Sequence, residues 1–170
     1  NIGEIFLLFE KNIKIKYHAF EPSPVIYKVL KLNIKSKNAY LYNLALHDKM
    51  QSKKFDLLDK NVNSSLIRFK NYTNFIRVKC ITLDMVVKQI GVNIKLIKID
   101  AESGKPEVLN GLKKYCYKVK YISVEAGEER GINHTNTFLK CNKILISKNF
   151  ILINKNTTLQ TYLFKNKIFK

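Results

Sequence analysis

"LIKIDAESGKPEVLNG", residues 96–111, decides how the chain is read. The β-prone segment "IKLIKID" (94–100) runs into two carboxylates, Asp100 and Glu102, and then into the helix predicted for "KPEVLNGLKKY" (105–115). That helix carries Pro106 and Glu107 in its first turn and Lys113 and Lys114 in its last, which suits the helix dipole at both ends. A strand that ends in acids just before a helix is the building unit of an α/β protein. In open α/β sheets, ligands bind beyond the carboxyl ends of the strands.

The same grammar repeats outward. Upstream, "YHAF" (17–20) reads as a strand, with Ser23 as an N-cap and Pro24 at the first helical position. Val25, Ile26, Val29, Leu30 and Ile34 then recur at helical spacing, and "AYLYNLAL" (39–46) is the next strand. "KKFDLL" and "FIRVKCI" suit an antiparallel pair around a loop at "NVNSSL". "TLDMVVKQIG" (82–91) is a short helix capped by Thr82 and stopped by Gly91. Downstream, "VKYISVE" (119–125) is a strand and "NTFLKCNKILISKN" (136–149) a helix. "FILIN" and "QTYLFKN" are two strands joined by the polar turn "KNTT". The alternation predicts one domain over 1–170, with a mostly parallel sheet, helices on both faces and a C-terminal antiparallel hairpin.

With 170 residues, 46% of them hydrophobic, the chain can build a real core. No apolar run approaches the roughly 18 residues of a membrane helix. The net charge of +18 invites a nucleic-acid reading, but all except three of the 31 basic residues are lysine. Those lysines are scattered, and phosphate and base recognition favours arginine forks. No specific nucleic-acid partner is expected. Cys80, Cys116 and Cys141 form no paired framework and suit reduced thiols in a cytoplasmic protein. His18, His47 and His134 are too isolated for a metal triad, so no metal site is expected.

The polar residues at the strand tips are the candidates for a site. Glu21 ends "YHAF", where a carboxylate can accept both hydroxyls of a ribose, and Pro22 stiffens the turn. An acid there also helps a following helix, and position alone leaves both readings open. Asn43 to Ala45 lie near the end of "AYLYN", and Asn1 and Gly3 precede the first helix. Asp100 and Glu102 either cap the helix that follows or face a ligand. Two neighbouring carboxylates can acquire divergent pKa values, leaving one of them as a general base.

At these residues the chain resembles an FkbM-family methyltransferase. "NIG" (1–3) is similar to the tail of the family's glycine-rich cofactor loop, and "AFEPSPVIYKVLKLNI" (19–34) to its Phe-Glu-Pro turn and helix. "VKCITLDMVV" (78–87) is similar to its Thr-Leu-Asp segment, and "LIKIDAESGKPEVLNG" to its Lys-Ile-Asp-x-Glu-Gly-x-Glu motif. The resemblance implies a class I, Rossmann-like fold that binds S-adenosylmethionine and moves its methyl group to a hydroxyl of a small molecule or sugar. It assigns Asn1, Gly3, Glu21, Pro22, Asn43 and Ala45 to the cofactor, and Asp100 and Glu102 to the methionine end and the acceptor, with one of these two as the base.

Two departures stand out. Ser103 occupies the motif's Gly, and Lys105 occupies the place of an acid. The chain also opens inside the cofactor loop, so the strand ahead of it and most of that loop are expected to be missing. A chain lacking them should be destabilised and bind S-adenosylmethionine poorly. The alternatives are a non-catalytic remnant or binding module of the same fold, or a methyltransferase acting on RNA. "GEERG" (127–131) either lines the acceptor side or is a solvated charged loop, as base rates for such loops favour.

Overall fold

The computed structural model describes Phe6 and residues 15–57, 65–67, 74–131 and 133–169. Asn1 and Gly3 lie outside the described residues, as does most of the loop expected at "NVNSSL". The architecture is mixed α/β.

Strand β1 (Tyr17–Phe20) leads into α1 (Pro24–Asn33), which returns the chain to β2 (Ala39–Tyr42), parallel to β1 with Phe20 opposite Tyr42. The local signals act as expected. Ser23 accepts a hydrogen bond from the Ile26 N–H, and Pro24 opens the helix. One side of the unit packs Leu30 and Ile34 with Phe6, Tyr17, Ala19 and Leu41. His18 and Phe20 alternate with those residues along β1, and they stack on Tyr40 and Tyr42 of β2, with His18 Nδ1 3.2 Å from the Tyr42 hydroxyl.

"AYLYNLAL" is not one strand. It breaks at Asn43–Leu44, and β3 (Ala45–Leu46) pairs in parallel with β5 (Asn74–Ile81) instead. The break has a local cause. The Asn43 amide turns back to the carbonyls of Glu21 and Pro22, at 2.8 and 3.1 Å. β4 (Gln51–Leu57) and β5 form the expected antiparallel pair, with Gln51 opposite Cys80 and Leu57 opposite Asn74. Phe55, Val78, Cys80 and Ala45 make a small core there.

Helix α2 (Leu83–Ile90) is capped by Thr82 and stopped by Gly91 at φ 77°. The Asp84 carboxylate in its first turn accepts the N–H groups of Lys113, Lys114 and Tyr115, at 2.7 to 3.1 Å. This clamp shapes the next segment. Helix α3 (Lys105–Asn110) stops at Gly111 rather than running to Tyr115. A Cβ at Gly111 would stand 2.3 Å from the His47 carbonyl oxygen, so only glycine permits this approach.

β6 (Ile94–Ile99) lies parallel to β7 (Val119–Glu125), with Ile99 opposite Val124. Between α3 and β7 the chain makes a single 3₁₀ turn at Cys116–Lys118. β8 (Glu128–Arg130) and β9 (Thr135–Asn136) form a small hairpin. Helix α4 (Phe138–Ser147) follows, and then β10 (Phe150–Asn156) and β11 (Thr161–Asn166), the expected antiparallel hairpin. β11 joins antiparallel to β7, giving a four-stranded sheet in the order β10-β11-β7-β6. Val119, Ile122, Val124 and Phe164 of this sheet meet Leu83, Val87, Leu109, Leu112, Cys141 and Leu145 of the helical segments in the main core.

The expectation of one mostly parallel sheet is therefore met only in part. The βα alternation and three parallel pairings are present, but the described strands fall into four sheets with more antiparallel than parallel pairs. Among the described residues, β1 pairs only with β2 and β6 only with β7.

Candidate functional site

Two strand tips carry the chemistry. At the end of β1, Glu21 Oε1 accepts the Ser23 N–H at 2.8 Å, and the Glu21 N–H donates to the Tyr42 carbonyl at 3.0 Å. Burial raises the Glu21 pKa, and the Ser23 N–H works against that rise. The turn at Pro22 is half-buried, and Asn43 holds its carbonyls from β2. Asn43 is thus a brace between the tips of β1 and β2. Ala45, placed on the cofactor by the resemblance, has its methyl group in the small core at 2% exposure, so only its backbone can face a ligand.

At the ends of β6 and β7 three acids gather. Lys98 Nζ lies 3.5 Å from Asp100 Oδ2 and 3.7 Å from Glu125 Oε2, so one exposed lysine bridges the two strand ends. Glu102 follows, with its backbone carbonyl accepting the Ser65 hydroxyl at 2.6 Å. Burial raises the Glu102 pKa; Lys105 lowers it, and Glu129, Asp100 and Glu125 raise it further. The Glu102 carboxyl is thereby held closer to neutrality than an ordinary glutamate.

The turn after Glu102 is built from buried polar groups. Ser103 is fully buried with φ 59°, the left-handed region that favours glycine, so the strain there has a plain reason. Its hydroxyl donates to the Glu129 carbonyl, and its own carbonyl accepts from Arg130 Nη1 at 2.7 Å. Arg130 also grips Glu107 through two bonds of 2.6 and 2.8 Å. Lys105 is 1% exposed, and its ammonium pairs with Glu129 Oε2. The other Glu129 oxygen accepts from the buried Thr137 hydroxyl at 3.1 Å. Among the described residues, no buried side-chain nitrogen or oxygen lacks a partner.

The solvated-loop reading of "GEERG" is corrected by these contacts. Glu129 and Arg130 are half-buried and tie the 103–107 turn to β8. Pattern reading missed them because their partners lie 23 to 27 residues away. The one available signal was Lys105 itself, a cation at the start of an apolar helix that needed an acid from elsewhere.

Cys141 is buried, and its thiol is pushed up to about 12, chiefly by burial, which removes it as a nucleophile. Among the described residues, no group of three or more His, Cys, Asp and Glu could hold a metal ion. No described helix is long and apolar enough to cross a membrane.

The family model for the methyltransferase FkbM domain matches residues 1–152. No curated protein and no solved structure matches the chain. The match covers most of the 170 residues, and the chain belongs to the FkbM methyltransferase family, as the four motifs indicated.

Proposed function

We propose that this member of the FkbM methyltransferase family transfers a methyl group from S-adenosylmethionine to a hydroxyl of a small molecule or glycan, with Glu102 as the general base. The observation that carries the reading is the charge at the tips of β6 and β7. Asp100 and Glu125 gather there around Lys98, with Glu102 just beyond, in a chain whose net charge is +18. Local negative charge in so basic a protein fits a cationic donor. When bound, the sulfonium supplies a methyl group already activated for transfer.

The chain's own residues then have two tasks. Glu21, on the turn braced by Asn43, takes the ribose hydroxyls of the donor. Glu102 accepts the acceptor's proton as its oxygen becomes nucleophilic, a contribution of about 10²- to 10⁴-fold. Glu102 suits this better than Asp100. Asp100 is exposed and paired with Lys98, whereas burial shifts Glu102 toward the range where a carboxylate is a competent base. Alignment of donor and acceptor can add roughly 7–11 kcal/mol.

On this reading the fold is the class I arrangement. The β1–β2 and β6–β7 pairs are flanks of one parallel sheet, and the β10–β11 hairpin is its antiparallel end. The free thiols suit a cytoplasmic setting. Arg130 is committed to Glu107 and the Ser103 carbonyl, which argues against a phosphate-binding role for it.

Isothermal titration of the full gene product with S-adenosylmethionine tests the reading. Micromolar binding is expected, with Glu21→Gln weakening it about 10- to 150-fold, the equivalent of hydrogen bonds to a charged group. Absence of binding by the unaltered gene product would refute it.

A further inference from the structure

We infer that the buried Lys105–Glu129 pair is the positioning device for Glu102, a charge lever supplied jointly by the first turn of α3 and by β8. The inference rests on the reading of Glu102 as the base.

Lys105 is in a doubly unfavourable place. It is 1% exposed, and it stands at the first turn of a helix, where the dipole repels a cation. Burial of an ammonium is costly unless the charge is paired and hydrogen-bonded. Here the pairing is complete. Glu129 holds the ammonium with one oxygen and takes the Thr137 hydroxyl on the other, and Thr137 is itself 1% exposed. The backbone repeats the link, because the Ser103 hydroxyl bonds the Glu129 carbonyl. Arg130 bonds the Ser103 carbonyl and the Glu107 carboxylate. Residues 103, 105 and 107 are thus each fastened to 129 or 130, and Glu102 is the residue just before the fastened segment.

The electrostatics follow from the same geometry. The charged groups that act on Glu102 are Lys105 from α3, Glu129 from β8, and Asp100 and Glu125 from the ends of β6 and β7. Lys98 lies between the last two. Lys105 is the cation of this set that favours the ionised form of Glu102. Glu129 opposes it directly while also holding it in place. A neutral residue at 105 and a neutral residue at 129 should therefore move Glu102 in opposite directions. A role confined to stabilising the fold would not do that.

The test is a carbon-13 NMR titration of the Glu102 carboxyl in the full gene product, assigned by its loss in Glu102→Gln. Lys105→Met is expected to raise the Glu102 midpoint, Glu129→Gln to lower it, and Lys105→Met/Glu129→Met to return it toward the parent value. The double variant leaves no buried charge unpaired, and where Lys105→Met fails to fold the shift in Glu129→Gln decides. A midpoint that stays put in Glu129→Gln, or midpoints that move the same way in both single variants, overturn the inference. The acid limb of the methyl-transfer pH profile should follow the same order, with kcat altered and the KM for S-adenosylmethionine kept within about twofold. Opposite NMR shifts in a protein with no methyl transfer would sustain the lever and sink the catalytic reading of Glu102.

Discussion

The units β1–α1–β2 and β6–α3–β7 are written in nearly the same local language and end up in different physical situations. Each is a parallel pair joined through a helix, and each places a glutamate between the first strand and the helix and a proline in the first turn of the helix. In the first, the acid is Glu21. It is fixed by a backbone N–H two residues on, and Asn43 braces the turn from the second strand. In the second, the acid is Glu102. The turn that follows it is fastened by side chains from a segment more than 20 residues away. The first unit packs a core of Phe6, Leu30 and Ile34, with its remaining apolar contacts half-exposed, whereas the second lies in the main core with Leu109, Leu112, Val119, Ile122 and Val124 essentially inaccessible. Backbone fixation suits an acid that must stay still to bind. Fixation by other charges suits an acid whose proton affinity must be set.

If that contrast holds, the two acids should fail differently. Glu102→Gln should lower kcat by about 10²- to 10⁴-fold and leave the donor KM nearly unchanged. Glu21→Gln should do the reverse, raising the donor KM with kcat largely retained. Steady-state kinetics on both variants checks this, and equal losses in both parameters for both variants would erase the distinction.

The cores should separate next. Leu109→Ala should cost about 4–5 kcal/mol and Leu30→Ala about 2–3, within the range for buried leucines. The partly exposed neighbours of Leu30, among them Tyr27 and Leu41, can close over a cavity more readily than the fully buried ones around Leu109. Urea unfolding of the two variants measures the difference.

A pH dependence follows from the directions of the two shifts. Both carboxyls are raised above the ordinary glutamate value of 4.5, first of all by burial. Each therefore contributes stability that is fully present below that value and is lost as pH rises through the folded pKa. Relative to the parent, Glu21→Gln and Glu102→Gln should both gain stability between about pH 4 and pH 7. The gain for Glu102→Gln should change in high salt, because Lys105 opposes its shift while Glu129, Asp100 and Glu125 add to it. The gain for Glu21→Gln should change less, since burial and the Ser23 N–H dominate its shift. Thermal melts at two pH values and two salt concentrations decide the matter.

The smallest effect belongs to Lys98. Its contacts with Asp100 and Glu125 are long and partly exposed, so Lys98→Met should change stability by no more than about 1 kcal/mol. A larger loss by urea unfolding would mean that the bridge between the tips of β6 and β7 is structural.

What could be read from the sequence was what is locally encoded. Ser23, Pro24, Thr82 and Gly91 act within one turn of their own position, and all four behave as read. The strand–acid–helix order and the C-terminal hairpin were legible for the same reason, since alternation and turn residues are short-range signals. The readings that failed depend on distant contacts. The expected helix over 105–115 ends at Asn110 because Asp84, some 30 residues earlier, captures the next N–H groups, and because His47 crowds Gly111. The strand over 39–46 divides because Asn43 answers to Glu21 rather than to its own strand. Lys105 and Ser103 looked like departures from a motif until Glu129 and the positive φ accounted for them.

The central claim is that the acids at the tips of β1 and β6 serve one methyl donor. Amide NMR of the full gene product during a titration with S-adenosylmethionine tests it most directly. The account predicts that the signals of Glu21 and of Asp100 to Ser103 shift together and saturate with a single dissociation constant. Movement at one tip while the other stays silent, or no movement at either, would contradict it.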